Sequence, residues 1–389
     1  MLFLGCLFDR EKENEIIKNS KSGLMNASNT FQWNLIDGIY ENGKKTDIIN
    51  VLPVGTYPKQ YKKLILKTTK WGFKGSDNIE IGCINLPFIK QLMRTLAVKK
   101  EIKKRKDKNI IIYSTYLPFL KAVRSLDKSY HITLIVTDLP EYYDLAKTSG
   151  IRRIIRSTYN KMVYKCLERI DDFVILTEQM KEPLKIGDRR YVVVEGIANS
   201  EDFPEGVKKS DKKAILYTGT LNYQFGIKTL LDAFSMIEGD EYELWICGSG
   251  EARAEVEELS KRDNRIKYYG YQPKQEVKKL QRQASLLVNP RTNEGEYTKY
   301  SFPSKTIEYM QSGTPVLMHK LDGIPEEYDE YLYYFESDSA ECVKNNIIDV
   351  LSLSEYEREV FGKKARSFIN EKKNSRIQGY KMLNMIDLY

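Results

Sequence analysis

The sequence contains no run of 18 apolar residues, so it offers no candidate for a membrane-spanning helix. It has no CxxC pair either. Its five cysteines, Cys6, Cys83, Cys166, Cys247 and Cys342, are scattered, and Cys6, Cys83 and Cys247 sit inside apolar runs. That usage predicts reduced thiols in a cytosolic protein rather than a disulfide framework. Histidine is almost missing: His131 and His319 alone cannot build a metal cluster, and no metal site is expected. The start, MLFLGCLFDREKENE, lacks a basic leader and a small-residue cleavage site, so it is read as a first β-strand and not a signal peptide. There is no short-period repeat. Stacked aromatics and a recognisable nucleic-acid-binding motif are also missing, so no nucleic-acid partner is expected.

What is present is ample core material. The chain has 389 residues, 41% of them hydrophobic and 30% charged, which is too long for one hydrophobic core and predicts two domains. Its net charge of +8 is unevenly spread: residues 1–200 carry 35 Lys+Arg against 22 Asp+Glu, and the remainder carries 27 against 32. A strongly basic first half should attract something anionic, such as a phosphate-rich ligand or a membrane surface.

The first half alternates short apolar runs (LFLGCLF, TDIINVLPV, IEIGCINL, NIIIYST, ITLIVTD, DFVILTE, RYVVVEGI) with helical stretches that include NTFQWNLIDGIYENG, FLKAVRSL and residues 151–170. Residues 198–213, ANSEDFPEGVKKSDKK, carry Gly, Pro and charge without apolar periodicity and read as a linker. The pattern then restarts with the strands KAILYTGTL, YELWICGSG, RIKYYGY, SLLVNP and TPVLMH, separated by helices. Strands alternating with helices imply parallel sheets covered on both faces. The expected class is α/β, with two doubly wound Rossmann-like domains facing across a cleft. The expected bounds are 1–198 and 199–375, with a last helix, about 376–389, packing back on the first domain.

One stretch carries chemistry. Residues 300–317 read YSFPSKTIEYMQSGTPVL. Pro303 suits a first helical turn and Ser301 or Ser304 can cap it. The helix start offers free amides and the positive end of its dipole, which suits a phosphate. Lys305 adds a full charge there, where a cation is misplaced unless an anion is bound. Glu308 follows about one turn later, ~5 Å along the same face. Its carboxylate can accept two hydrogen bonds from a vicinal diol. Phosphate on the helix end and ribose on Glu308 is how a nucleotide diphosphate would lie. Gly313 ends the helix and Pro315 stops its continuation. From spacing alone, an ordinary helix start with a solvated Glu308 fits as well.

SFPSKTIEYMQSGTPVL resembles the donor-site segment of family 4 glycosyltransferases of the GT-B fold, in the branch found in bacterial capsule and exopolysaccharide clusters. ILYTGTLNYQFGIKTLLDAF, YELWICGSGE and RIKYYGYQPKQEVKKL resemble further segments of that family's C-terminal domain in the right order, and DDFVILTEQM and YVVVEGIANSEDF resemble the end of its N-terminal domain. The resemblance covers residues 170–325 well and the first 150 loosely. It implies transfer of a sugar from a nucleotide-diphosphate sugar, a UDP-sugar being the expected donor, to a hydroxyl of a lipid-linked saccharide. It also implies retention of configuration, no metal requirement and no cofactor. Glu308 would bind the ribose, Ser304 and Lys305 the diphosphate, and Gly248, Gly250 and Tyr269 would border the base. Gly219 and Thr220, at the end of the first strand of that domain, are further donor-binding candidates. The family usually has an Arg at the position of Thr220, a Lys at Phe225 and a Glu at Tyr300. Lys305, Arg291, Lys299 and the loop carboxylates Glu294 and Glu296 are the candidate substitutes.

In the first domain the loop SGLMNASNTFQWN resembles the family's loop that approaches donor phosphate and acceptor, and Gly23, Asn26 and Asn29 are the candidate contacts. Ser28 or Asn29 serves equally as a helix cap. Asp138 ends the strand run ITLIVTD, where it is the candidate for orienting or deprotonating the acceptor hydroxyl, with Glu141 next; a helix-capping role fits Asp138 as well. The basic run KKEIKKRKDK and the stretch 149–170, with Ile151, Ile154, Ile155, Tyr159, Met162, Val163 and Cys166 on one stripe, predict contact with an anionic membrane. The stripe is also compatible with core packing. The expected location is cytoplasmic, peripheral on the inner face of the plasma membrane. Two rivals remain: a nucleotide-sugar 2-epimerase, and a non-catalytic membrane-associated partner of a transferase.

Overall fold

The computed structural model describes residues 1–8, 12–21, 26–142, 150–198 and 203–386. The chain divides into two compact units: Met1–Ile197 with Ser375–Tyr389, and Ala198–Asn374.

The first unit contains β1 (Leu2–Gly5), α1 (Glu13–Asn19), α2 (Asn26–Glu41), β2 (Asp47–Asn50), β3 (Ile65–Leu66), β4 (Thr69–Phe73), β5 (Ser76–Glu80), β6 (Cys83–Ile84) and α3 (Ile89–Lys104). It continues with β7 (Asn109–Tyr113), α4 (Leu117–Arg124), β8 (His131–Val136), α5 (Ile151–Leu167), β9 (Asp172–Ile175) and β10 (Arg190–Val193). Eight strands form one sheet in the order β10-β9-β8-β7-β1-β2-β5-β4. All neighbours are parallel except the edge pair β4–β5. The apolar run IEIGCINL, read as one strand, is two: β5 stays in the main sheet, whereas β6 leaves it to pair antiparallel with β3. Strand β4 and helices α1 and α3 are elements beyond those read from the sequence.

The second unit contains β11 (Lys213–Thr220), α6 (Ile227–Ser235), β12 (Tyr242–Ser249), α7 (Arg253–Arg262), β13 (Ile266–Gly270), α8 (Lys274–Gln283), β14 (Leu286–Asn289) and α9 (Ser304–Ser312). It ends with β15 (Val316–Met318), β16 (Tyr333–Tyr334), α10 (Ala340–Ser352) and α11 (Glu355–Lys372). Its six strands are all parallel, in the order β13-β12-β11-β14-β15-β16. Successive side chains of a strand point to opposite faces. In β11, Ile215 and Tyr217 therefore join one core with α6 and α10, and Ala214 and Leu216 join another with α9 and α11. That two-faced burial is why its strands read as continuous apolar runs.

Helix α12 (Ser375–Ile386) belongs to the first unit and packs on α2. Their backbones nearly touch at Gly38 and Gly379, and Met382 and Leu383 fill the same core as Leu35 and Ile39. Among the described residues no helix is long and apolar enough to cross a membrane.

Candidate active site

In the second sheet the strand order reverses between β11 and β14, and ligands of open α/β sheets sit outside the carboxyl ends of the strands at such a point. Strand β11 ends there on Gly219-Thr220, in register with Gly248-Ser249 of β12. Gly219 has φ +152°, and a Cβ on it would lie 1.7 Å from the Lys305 ammonium. No side chain fits at this tip without evicting that lysine. The Thr220 carbonyl accepts from the Tyr217 hydroxyl at 2.8 Å, and the Gly248 carbonyl from Tyr268 at 2.9 Å. The Gly250 carbonyl receives the Arg253 amide at 3.2 Å, which starts α7. Tyr269 on β13 meets Trp245 edge-on at 5.9 Å and is half-buried.

Helix α9 starts beside this tip. Pro303 occupies the N-cap position and no side chain caps the helix. The expected serine cap is therefore corrected: Ser301 instead accepts a hydrogen bond from Arg291 Nη2 at 2.8 Å, and Ser304 is the first helical residue, exposed. Lys305 turns back onto β11, donates to the Thr218 carbonyl and lies 5.5 Å from the Tyr217 ring centroid. Burial lowers its pKa to about 8, with Glu308 and Cys247 pulling it upward. Tyr309 is completely buried and its hydroxyl accepts from the Thr218 amide at 2.8 Å, which fixes α9 against the strand end. One turn beyond Lys305, Glu308 Oε1 accepts from Gln281 Nε2 of α8 at 2.7 Å.

Arg291 arrives from the loop after β14. Its guanidinium lies 5.9 Å from the Phe225 ring and 5.3 Å from the Tyr297 ring. Burial lowers its pKa, against the pull of Tyr297, and its Nε is buried without a hydrogen-bond partner. The loop is held by backbone contact: Gly226, at φ +78°, would put a Cβ 2.1 Å from the Pro290 carbonyl oxygen. Glu296 opens a short 3-10 turn, Glu296–Tyr300, and is exposed, as is Lys299. A cavity of about 470 Å3 is lined by Asn293 and Glu294 of this loop together with His319, Lys320, Phe335 and Asp338.

The structure thus gathers Gly219, Thr220, Gly248, Lys305 and Glu308 around the ends of β11 and β12, and ties Arg291 through Ser301 to the approach of α9. Sequence reasoning passed over Gln281 and Tyr309. Both act through contacts with residues far away in sequence, so no local pattern marks them.

In the first unit, Asp138 follows β8 and is exposed at its own surface. The protein crowded around it pushes its carboxyl up to about 6, opposed by a hydrogen bond with Thr137. Glu141 accepts from the Tyr164 hydroxyl at 2.9 Å. Asn29 is buried and its Oδ1 accepts the Phe8 amide at 2.8 Å, so this side chain is committed to the backbone after β1. Asn26 Oδ1 is buried with no hydrogen-bond partner. Gly23 lies outside the described residues. Of the membrane stripe on α5, Val163 and Cys166 are core, whereas Ile154, Ile155 and Met162 are exposed. The side chains of Ile151 and Arg152 are outside the description.

The fold defines a class, and comparison with known proteins agrees with it. Residues 198–368 match the family Glycosyl transferases group 1, so the second unit carries a glycosyltransferase domain. An uncharacterized glycosyltransferase of Methanocaldococcus jannaschii, MJ1607, is 31% identical over 122 residues, a match that takes in 30% of each chain. Sucrose-phosphate synthase from Thermosynechococcus elongatus shares the fold over 100% of this chain and 98% of its own, at a TM-score of 0.69 and 15% identity. Anabaena Alr3699/HepE, solved in complex with UDP, does so over 100% and 99%, at 0.63 and 12%. The fold of the chain is GT-B.

Proposed function

We propose that the protein is a glycosyltransferase that moves a sugar from a nucleotide-diphosphate sugar to a hydroxyl of a lipid-linked saccharide, with retention of configuration and without a metal, in the building of a surface polysaccharide. The observation that carries this reading is the head of α9. Lys305 lies over Gly219 at the strand tip, and Glu308 follows one turn behind. The α/β-phosphates take the first-turn amides of α9 and the Lys305 ammonium, and the ribose hydroxyls take the Glu308 carboxylate, which Gln281 holds in place. As the bond from the anomeric carbon to the phosphate oxygen breaks, negative charge grows on the diphosphate, and Lys305 and Arg291 stabilise it more than they stabilise bound donor. The cations the family usually carries at Thr220 and Phe225 are missing, and the Arg291 guanidinium, 5.9 Å from the Phe225 ring, substitutes for one of them. A UDP-sugar is the favoured donor, because Anabaena HepE, which shares the fold, was solved with UDP. Asp138 takes the proton of the acceptor hydroxyl. The acceptor places the protein on the inner face of the plasma membrane, which the basic first unit suits.

A panel of nucleotides and nucleotide sugars tests the reading. A true donor present at about a hundred times its dissociation constant stabilises the protein by ~2.7 kcal/mol, and adding a membrane extract as acceptor releases the free nucleotide. Stabilisation with no release in any extract identifies a binding subunit, and conversion of a donor with no acceptor present identifies an epimerase.

A further inference from the structure

Helix α3 is inside out over its first two turns. Lys90 and Arg94 face the protein, 5% and 2% exposed, while Ile89, Leu92, Met93 and Leu96 face water at 44%, 62%, 36% and 60%. The buried cations donate to neutral oxygens, although Arg94 Nε is left without a partner. Lys90 donates to the Val54 carbonyl at 2.5 Å, and Arg94 to the Leu52 carbonyl at 2.8 Å and the Tyr116 hydroxyl at 2.9 Å. These bonds fix which face of the helix is inside, and the apolar face is left outward. Only from Val98 and Ile102 onward does the pattern revert, with apolar residues inside and Lys100, Lys103 and Lys104 outside.

The apolar surface extends beyond the helix. Phe88, just before it, has φ +63°, a conformation that non-glycine residues rarely hold, and its ring is 80% exposed. Ile84 meets Met93, its amide 3.4 Å from the sulfur, and pairs across β3–β6 with Ile65, which is 65% exposed. Leu64 adjoins them. Contiguous apolar surface of this kind on a folded domain marks an interaction site.

We propose that the first turns of α3 together with the β3–β6 pair seat in the headgroup–acyl boundary of an anionic lipid bilayer. Charge decides the occupant. Residues 62–108 carry 14 Lys+Arg against 4 Asp+Glu, and exposed Lys62, Lys67, Lys100, Lys103 and Lys104 belong to the segments that bear the patch. A second copy would bring two such basic faces together, whereas an anionic membrane offers counter-charge and an apolar interior at one surface. The inference deepens the reading above, on which it rests for the reason a transferase would need a membrane. It adds a second candidate element of attachment to the basic helix α5, whose Ile154 and Ile155 are also exposed.

Vesicle binding tests it, with the full chain and no nucleotide sugar, so that failure of transfer and failure of docking are read separately. The protein should co-sediment with phosphatidylcholine vesicles containing phosphatidylglycerol, weakly with phosphatidylcholine alone, and remain partly bound at high salt. Leu92→Glu with Leu96→Glu should lower the bound fraction about tenfold, with thermal midpoint and nucleotide binding unchanged because both residues are exposed. In Phe88→Trp, the new indole should shift its emission to shorter wavelength on adding anionic vesicles. Equal binding by the double variant, or no shift in Phe88→Trp, overturns the proposal. So does a dimer in solution that the double variant dissociates, since the face would then be covered by a second copy.

Discussion

Lys305 and Asp138 titrate toward each other. Burial holds the lysine at about 8, and crowding lifts the aspartate to about 6, so both groups carry the charge that the proposed mechanism requires only between those values. Asp138 must be ionised to accept a proton, so kcat/KM should rise as pH passes about 6; Lys305 must be protonated to neutralise the diphosphate, so it should fall as pH passes about 8. In Asp138→Asn the lower limb should vanish and turnover should drop by about 10²–10⁴-fold, with the upper limb kept. A pH profile of nucleotide release checks this, and a lower limb that survives in Asp138→Asn removes that residue from the chemistry. The same lysine influences stability in the opposite sense. The unfolded chain holds its proton up to the ordinary lysine value of 10.5, so this group's contribution to stability rises with pH between about 8 and 10.5. A lysine that weakens the nucleotide-free fold at neutral pH is easiest to account for by a ligand that compensates it.

At the scale of elements, the site depends on two loops held by backbone contact. Gly226 at φ +78° lies against the Pro290 carbonyl, and Arg291 follows directly. Gly226→Ala must strain the backbone and push that loop away. It should cost about 1–3 kcal/mol of stability and weaken nucleotide binding through the displaced guanidinium, both readable in one thermal-shift series with and without nucleotide. A variant that loses stability but keeps full nucleotide affinity shows that Arg291 does not touch the ligand. The sequence already carried the α/β alternation, the strand–glycine ends at Gly219 and Gly248, and the α9 head, because each rests on local rules of periodicity, capping and glycine freedom. In α3 the apolar spacing of Ile89, Leu92, Met93 and Leu96 is local, but which face lies inside is not, because the Leu52 and Val54 carbonyls and the Tyr116 hydroxyl that take up Arg94 and Lys90 come from distant segments. Nor did the sequence carry the commitment of Asn29 to the Phe8 amide, or Gln281 as the partner of Glu308, since both are long-range contacts. The serine cap of α9 failed for a similar reason: Arg291, ten residues upstream, claims the Ser301 hydroxyl.

For the molecule as a whole, the chain returns to its first unit to finish it. Met382, Leu383, Met385 and Ile386 of α12 are buried there. Burying such side chains contributes about 1.5–3 kcal/mol each, so together they rival the 5–15 kcal/mol of net stability typical of a domain. Ending the chain at Asn374 should therefore unfold the first unit while leaving the second able to bind nucleotide, seen as loss of the first unit's protease-resistant fragment. A truncated chain that resists protease like the full one would make α12 dispensable. The central claim, however, concerns the second unit, and one titration reaches it most directly. Calorimetry of UDP into the wild type and into Glu308→Ala should show saturable binding to the first and at least about a tenfold weaker affinity in the second, equivalent to ~1.4 kcal/mol, at an unchanged thermal midpoint of the free protein. UDP binding with equal affinity to both, or to neither, would contradict the assignment of the α9 head as the nucleotide site.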